Sequence, residues 1–152
     1  MSPRATAVAS TAPEPVTIPT PPLLSGYHGL KVWQRAMDLA AAVHLLTKAL
    51  PASEETLRAE LRRAAFAVPT QIAAGNSLYQ RAEYVQHLSD AVGAVARVEC
   101  LLQAADRVGV LPSQEVMPLM LLAVEVGRML RGLTRSLVTK RTRDAEPAET
   151  VN

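Results

Sequence analysis

Residues 82–109, AEYVQHLSDAVGAVARVECLLQAADRVG, decide the fold. Tyr84, Leu88, Ala91, Val95, Val98, Leu102 and Ala105 recur at spacings that alternate four and three. A helix turns once per 3.6 residues, so these positions form one stripe and the polar residues between them fall elsewhere. The pattern predicts an amphipathic helix that opens at Ser77-Leu-Tyr-Gln80, a capping box, and closes at Gly109, a residue suited to the position beyond a last turn. At about 28 residues it measures roughly 40 Å. A rod of that length with one apolar side needs further helices to cover it.

Those helices lie on either side. Residues 30–50 carry Val32, Ala36, Leu39, Val43, Leu46 and Leu50 in the same rhythm, and Pro51 stops them. A second apolar set, Leu30, Trp33, Met37, Ala41 and Leu45, runs beside the first and leaves a narrow polar stripe. So wide an apolar circumference predicts a helix central to the bundle or shared with another copy of the chain. The next segment begins after Ser53, an N-cap followed by Glu54 and Glu55, whose charges suit the positive end of the helix dipole. Leu57, Leu61, Ala64, Val68 and Ile72 mark its inner side, and Gly75-Asn76 end it. Pro69 lies within the pattern; lacking an N–H and crowding the preceding turn, it predicts a kink or break. The last segment follows Pro112-Ser113 and runs to about residue 140, with Val116, Leu119, Ala123, Val126, Leu130, Leu133 and Leu137 inward. Pro118 either sets its true start or bends its first turns.

No segment shows the strict alternation of a half-buried strand. Short connections make successive helices antiparallel, and the prediction is an all-α, up-down four-helix bundle over residues 27–141. The ends differ in composition. Residues 1–26 hold six of the eleven prolines among Ala, Thr and Ser, too little apolar surface to offset chain entropy, and predict a disordered arm. Nothing in that arm has the apolar core of a signal peptide. Residues 142–152 predict a disordered acidic tail. A single cysteine, Cys100, excludes an internal disulfide and fits a reducing compartment; set among apolar residues, it is expected to be buried. No apolar run approaches the roughly 20 residues that span a bilayer. A cytoplasmic protein is expected.

Charge supplies the functional signal. The whole chain is +2, but residues 27–143 hold 15 basic and 10 acidic side chains, a net of +5. The richest stretch is 126–143, VGRMLRGLTRSLVTKRTR, with six cations and no acid. On a helix Arg128, Arg131 and Arg135 share a face, and Val126, Leu130, Leu133 and Leu137 take the opposite one. No acidic partner follows these arginines at i+4, so they are not neutralised along their own helix. Arg58, Arg62 and Arg63 form a second basic group, and Lys140 and Arg141 extend the first. These eight are the candidate contacts to the phosphates of a nucleic acid. A solvated outer face is the plainer alternative.

Catalysis and metal binding have little to stand on. His28, His44 and His87 are scattered, and no HExxH, Glu-x-x-His or Cys/His cluster occurs, so neither catalytic nor metal residues are assigned and no cofactor is expected. Glu83 and His87 at i, i+4 suit a local surface pair. The glycines do not form a phosphate loop. Five scattered aromatics (Tyr27, Trp33, Phe66, Tyr79 and Tyr84) make no stacking platform, so contact to nucleic acid is expected through the backbone, with little reading of bases.

Three stretches together carry a family resemblance: GLKVWQRAMDLA at 29–40, RRAAFAVPTQIAAG at 62–75, and AEYVQHLSDAVGAVARVECLLQAADRVGVL at 82–111. In this order they resemble the bacterial four-helix proteins encoded in intervening sequences of large-subunit ribosomal RNA genes. That family is similar in fold to the accessory variability determinant of diversity-generating retroelements, whose final helix EVGRML at 125–130 resembles. The resemblance implies a ring-like homopentamer with a basic surface, and, from the retroelement relatives, binding to RNA or DNA and to a reverse transcriptase. The chain departs from the family around its mid-helix proline, where Ser, Asn and Glu give way to Ala67, Gln71 and Ala74. Any role that depends on those polar groups does not carry over. The expectation is a non-enzymatic homo-oligomer that binds nucleic acid through its basic surface. The alternative is a protein–protein scaffold whose arginines only solubilise it.

Overall fold

The computed structural model describes residues 26–145, without the side chain of Arg141. Most of the predicted arm (1–25) and the end of the predicted tail (146–152) lie outside the described residues. Four helices run α1 Lys31–Thr47, α2 Glu55–Asn76, α3 Arg81–Arg107 and α4 Ser113–Ala145, with single 3-10 turns at Tyr27–Gly29 and Ala52–Glu54. There is no strand among the described residues. Each helix packs on its neighbours in sequence and α4 closes back on α1, which is the predicted four-helix bundle. Contacts at the two ends of one pair fix its direction: Arg81, at the start of α3, meets Asp144, at the end of α4, and Asp106 meets Ser113.

The apolar stripes become the core. Val32, Ala36, Leu39 and Val43 of α1 meet Leu61, Ala64, Val68 and Ile72 of α2, Leu88 through Ala105 of α3, and Val116, Ala123, Val126 and Leu130 of α4. Every helix contributes at least one fully buried leucine or isoleucine, each worth about 1.5–3 kcal/mol over its exposed state. Toward the far end of α4 burial relaxes, and Leu133 and Leu137 are only partly covered.

Helix ends show where local patterns competed. α1 stops at Thr47, three residues before the predicted end, and the chain tightens into i to i+3 bonds as far as Leu50. Ser53 does not cap α2: it lies inside the 3-10 turn, and the helix starts at Glu55 without a side-chain cap. Nor does Ser77 open a capping box. Its hydroxyl donates backwards to the Ala73 carbonyl at 2.8 Å, and α3 begins at Arg81. Gly109 does close α3, at φ +76°. Its N–H reaches the Asp106 carbonyl, and the Val110 N–H reaches Ala105, the paired bonds of a glycine-terminated helix.

α2 is unbroken through Pro69, which is buried between Val68 and Ile72. The predicted break is therefore corrected. The helix gives up one backbone bond, from position 69 to the Ala65 carbonyl, and packing on both sides holds the rest of the ladder. α4 likewise passes through Pro118 and begins at Ser113, before the proline. It continues to Ala145, past the expected boundary at 141.

Candidate nucleic-acid interface

α4 sets one surface of the bundle. Its inner stripe ends in Val126 and Leu130, both fully buried, and that fixes the opposite face outward. Arg128, Arg131 and Arg135 are all exposed, and so are Lys140 and Arg143 further along. None of these five forms an ion pair with an acid among the described residues. Arg141 lies outside the described side chains. Arg143, absent from the predicted contacts, lines a concavity with Arg135, Lys140 and the hydroxyls of Ser136 and Thr139. The acid-free run 126–143 already contained it.

Beside this row lies a groove between α3 and α4. Val85 and Val92 come from α3, Arg128, Arg131 and Arg135 from α4, with Ser89 and Thr134 between them. Its volume is about 510 Å³, and no acidic side chain lines it. Val85 also lines a separate, smaller recess bounded by Arg81, Leu137 and Val138. The Arg131 guanidinium lies over Gly127, with room for about one methyl group between them. Sequence reasoning missed the α3 wall, because nothing in Val85, Ser89 or Val92 alone distinguishes them from other helix positions.

Two of the three acids on α4 are engaged by arginines of other helices. Glu125 takes two bonds from Arg35 of α1, at 3.1 and 2.6 Å. That hydrogen bonding, above all, holds the Glu125 carboxyl below the ordinary carboxylate range, and the charge of Arg128 adds a small pull in the same direction. The Arg35 guanidinium is raised in turn by Glu125 first and Asp38 second. Asp144 is bound by Arg81 at 3.3 Å.

The second predicted basic group divides differently. Arg58 is turned inward onto the end of α1, its guanidinium donating to the carbonyls of Thr47 and Leu50 and pairing with Glu55. Arg62 donates to Thr47 Oγ1 at 2.8 Å. Both serve the unpaired carbonyls and negative dipole end of α1, so these two candidate contacts are already engaged within the bundle. Arg63 is 71% exposed and paired with Glu60 at 2.7 Å. The basic contacts that remain free therefore belong to α4.

Two further expectations change. His87 pairs with Gln71 of α2 at 2.6 Å and not with Glu83. Cys100 is exposed on the outer face of α3, because its position falls outside the buried stripe. Among the described residues no group of three or more His, Cys, Asp and Glu side chains is placed to hold a metal ion. No helix among them is long and apolar enough to cross a membrane.

With the fold and the basic row in place, a family model matches residues 28–132, most of the bundle; its description is 23S rRNA-intervening sequence protein. The chain belongs to that family. The match takes in Arg128 and Arg131 and stops before Arg135 and Lys140, so the basic end of α4 lies beyond the shared part. Among solved structures, a protein of unknown function from the S23 ribosomal protein family of Bacteroides thetaiotaomicron is similar, with a TM-score of 0.63 and 15% identity. The similarity covers 68% of this chain and 97% of that one. At that identity it supports the fold of this family member and nothing finer. No curated protein sequence matches the chain.

Proposed function

We propose that this member of the 23S rRNA-intervening sequence protein family is a non-enzymatic, homo-oligomeric bundle that binds nucleic acid through the basic face of α4. One observation carries the reading: Arg128, Arg131, Arg135, Lys140 and Arg143 are exposed along a single helix with no ion-pair partner among the described residues. A row of unneutralised cations on a rigid rod attracts a polyanion and fits repeated phosphates. The family's association with ribosomal RNA genes favours RNA over DNA as the first ligand to test. The resemblance to the retroelement accessory determinant extends the proposal to a reverse transcriptase or an RNA-processing system as protein partner, and to a ring of five chains.

Assembly has its own support. Met37 and Leu45 on the outside of α1, and Met117 and Leu121 on the outside of α4, are exposed apolar side chains on adjacent helices. A second copy that covered them would remove that surface from water and repeat the basic row around the assembly. The same faces keep the scaffold reading in play as the competing function.

Binding to generic RNA across a range of salt tests the proposal. Each phosphate neutralised on a single strand contributes about 0.7 to the slope of log K against log salt. Replacing Arg128, Arg131 and Arg135 together by Gln should lower that slope by roughly 2, weaken unrelated sequences equally, and leave helicity and mass unchanged. A parent protein that binds no nucleic acid at low salt, or a triple variant that binds as well as the parent, decides for the scaffold.

A further inference from the structure

We infer that the α3/α4 groove seats an unpaired base, so that the protein prefers single-stranded nucleic acid to a duplex. The inference rests on the proposed binding face and adds which form of nucleic acid it takes. Phosphate binding alone needs only the exposed arginines. It does not account for the aliphatic surface of Val85 and Val92 that faces the same space as Arg128, Arg131 and Arg135.

A duplex presents its phosphates on the outside and hides the faces of its bases. Set against the arginine row, it would leave the two valines wet. An unpaired nucleotide joins a charged phosphate to a flat base with two weakly polar faces, and so matches both walls at once. The base lies on the valines and the phosphate meets the guanidinium groups. The space of about 510 Å³ falls within the roughly 300–1,000 Å³ typical of sites that hold a small ligand. Along α4 the three arginines span seven residues, roughly 10 Å, enough for consecutive phosphates of one strand. Val85 also borders a second, smaller recess beside Arg81 and Leu137.

The chemistry of the floor sets the selectivity. Valine side chains offer no donor or acceptor, so they cover any base without distinguishing it. The Thr134 hydroxyl donates to the Leu130 carbonyl at 2.9 Å, which leaves it only accepting capacity, and Ser89 is exposed at the lip. Single-strand preference without sequence preference follows.

The test compares three probes on the unmodified full-length protein: a short RNA strand, the same strand with its bases removed at successive positions, and the corresponding duplex. The intact strand should bind about ten-fold more tightly than the abasic one, the fold-change expected for covering a modest apolar area, and more tightly than the duplex. Val85→Thr with Val92→Thr keeps the β-branched shape and places hydroxyls on the floor. That variant should bring the intact strand down to the abasic level, with its melting transition and mass as controls. Equal binding of intact and abasic strands, or tighter binding of the duplex, overturns the inference and leaves the phosphate-binding function standing. A mass that falls in the valine variant, because the groove lies between copies, overturns it as well. Failure of every probe to bind at low salt removes the proposed function itself.

Discussion

Arg62 of α2 donates from Nε to Thr47 Oγ1, 2.8 Å away at the end of α1, and the Thr47 hydroxyl in turn donates to the Val43 carbonyl at 2.8 Å. Thr47 is fully buried and is the buried polar residue of the described core. The last carbonyls of a helix have no partner inside it, and here two arginines from the next helix supply the donors. The link therefore sets how α2 docks against α1, in addition to closing α1.

Removing that link should cost stability and not affinity. Arg62→Leu strands the Thr47 and His44 acceptors, and Thr47→Val removes the hydroxyl at nearly constant volume. Each should lower unfolding free energy by about 1–3 kcal/mol in urea titrations. Neither should change the salt slope for RNA. A flattened slope in Arg62→Leu with normal stability would return this arginine to the binding face.

Gly75 and Gly127 should respond in opposite ways to alanine. A Cβ at Gly75 would sit 2.7 Å from His87 Cβ and 2.8 Å from Tyr84 Cδ2, so α2 and α3 must move apart. Gly75→Ala should destabilise by about 1–3 kcal/mol, as overpacking does. At Gly127 the same atom meets Val95 and Arg131 at 3.5 Å, an ordinary contact. Gly127→Ala should be neutral or stabilising by up to about 1 kcal/mol through helix propensity. Thermal melts of the two variants side by side check both.

The exposed apolar faces make the oligomer testable. Leu45 is 63% and Leu121 66% exposed in the single chain. Light scattering should give a mass several times 16.3 kDa, with five chains expected from the family resemblance. Leu45→Glu combined with Leu121→Glu places charges in any interface made by these faces and should reduce the mass toward one chain. A monomeric parent would end the assembly proposal.

Acid should loosen the α1/α4 contact. Because the Arg35 hydrogen bonds lower the folded-state pKa of Glu125, its contribution to stability is complete above the unfolded carboxylate value. It is lost as pH falls through the depressed folded value. Glu125→Gln should remove that part of the acid dependence and leave stability above neutral pH little changed, since both groups are substantially exposed. Denaturation midpoints measured from neutral to acidic pH give the comparison.

Several features were legible in the residues alone. The alternating apolar spacing of all four segments, the glycine that ends α3, and the exposure of Arg128, Arg131 and Arg135 opposite Leu130 follow from the helical period, which is local and needs no neighbour. Local signals misled where a nearby partner offered something better. Ser77 bonded back to Ala73, Ser53 entered a 3-10 turn, and Pro69 stayed within a helix that packing holds together.

Composition and periodicity, then, determined a bundle of four helices and one basic face, because both depend on the order of residues along a single helix. Which arginines are free was decided only by tertiary structure. Arg58 and Arg62 look as available as Arg128 until the end of α1 is brought within hydrogen-bonding distance of them. The groove, too, belongs to neither helix: Val92 and Arg131 lie 39 residues apart in the chain and share one space because α3 and α4 run antiparallel. Periodicity assigns a residue to a face, and only the packing of helices decides what that face meets.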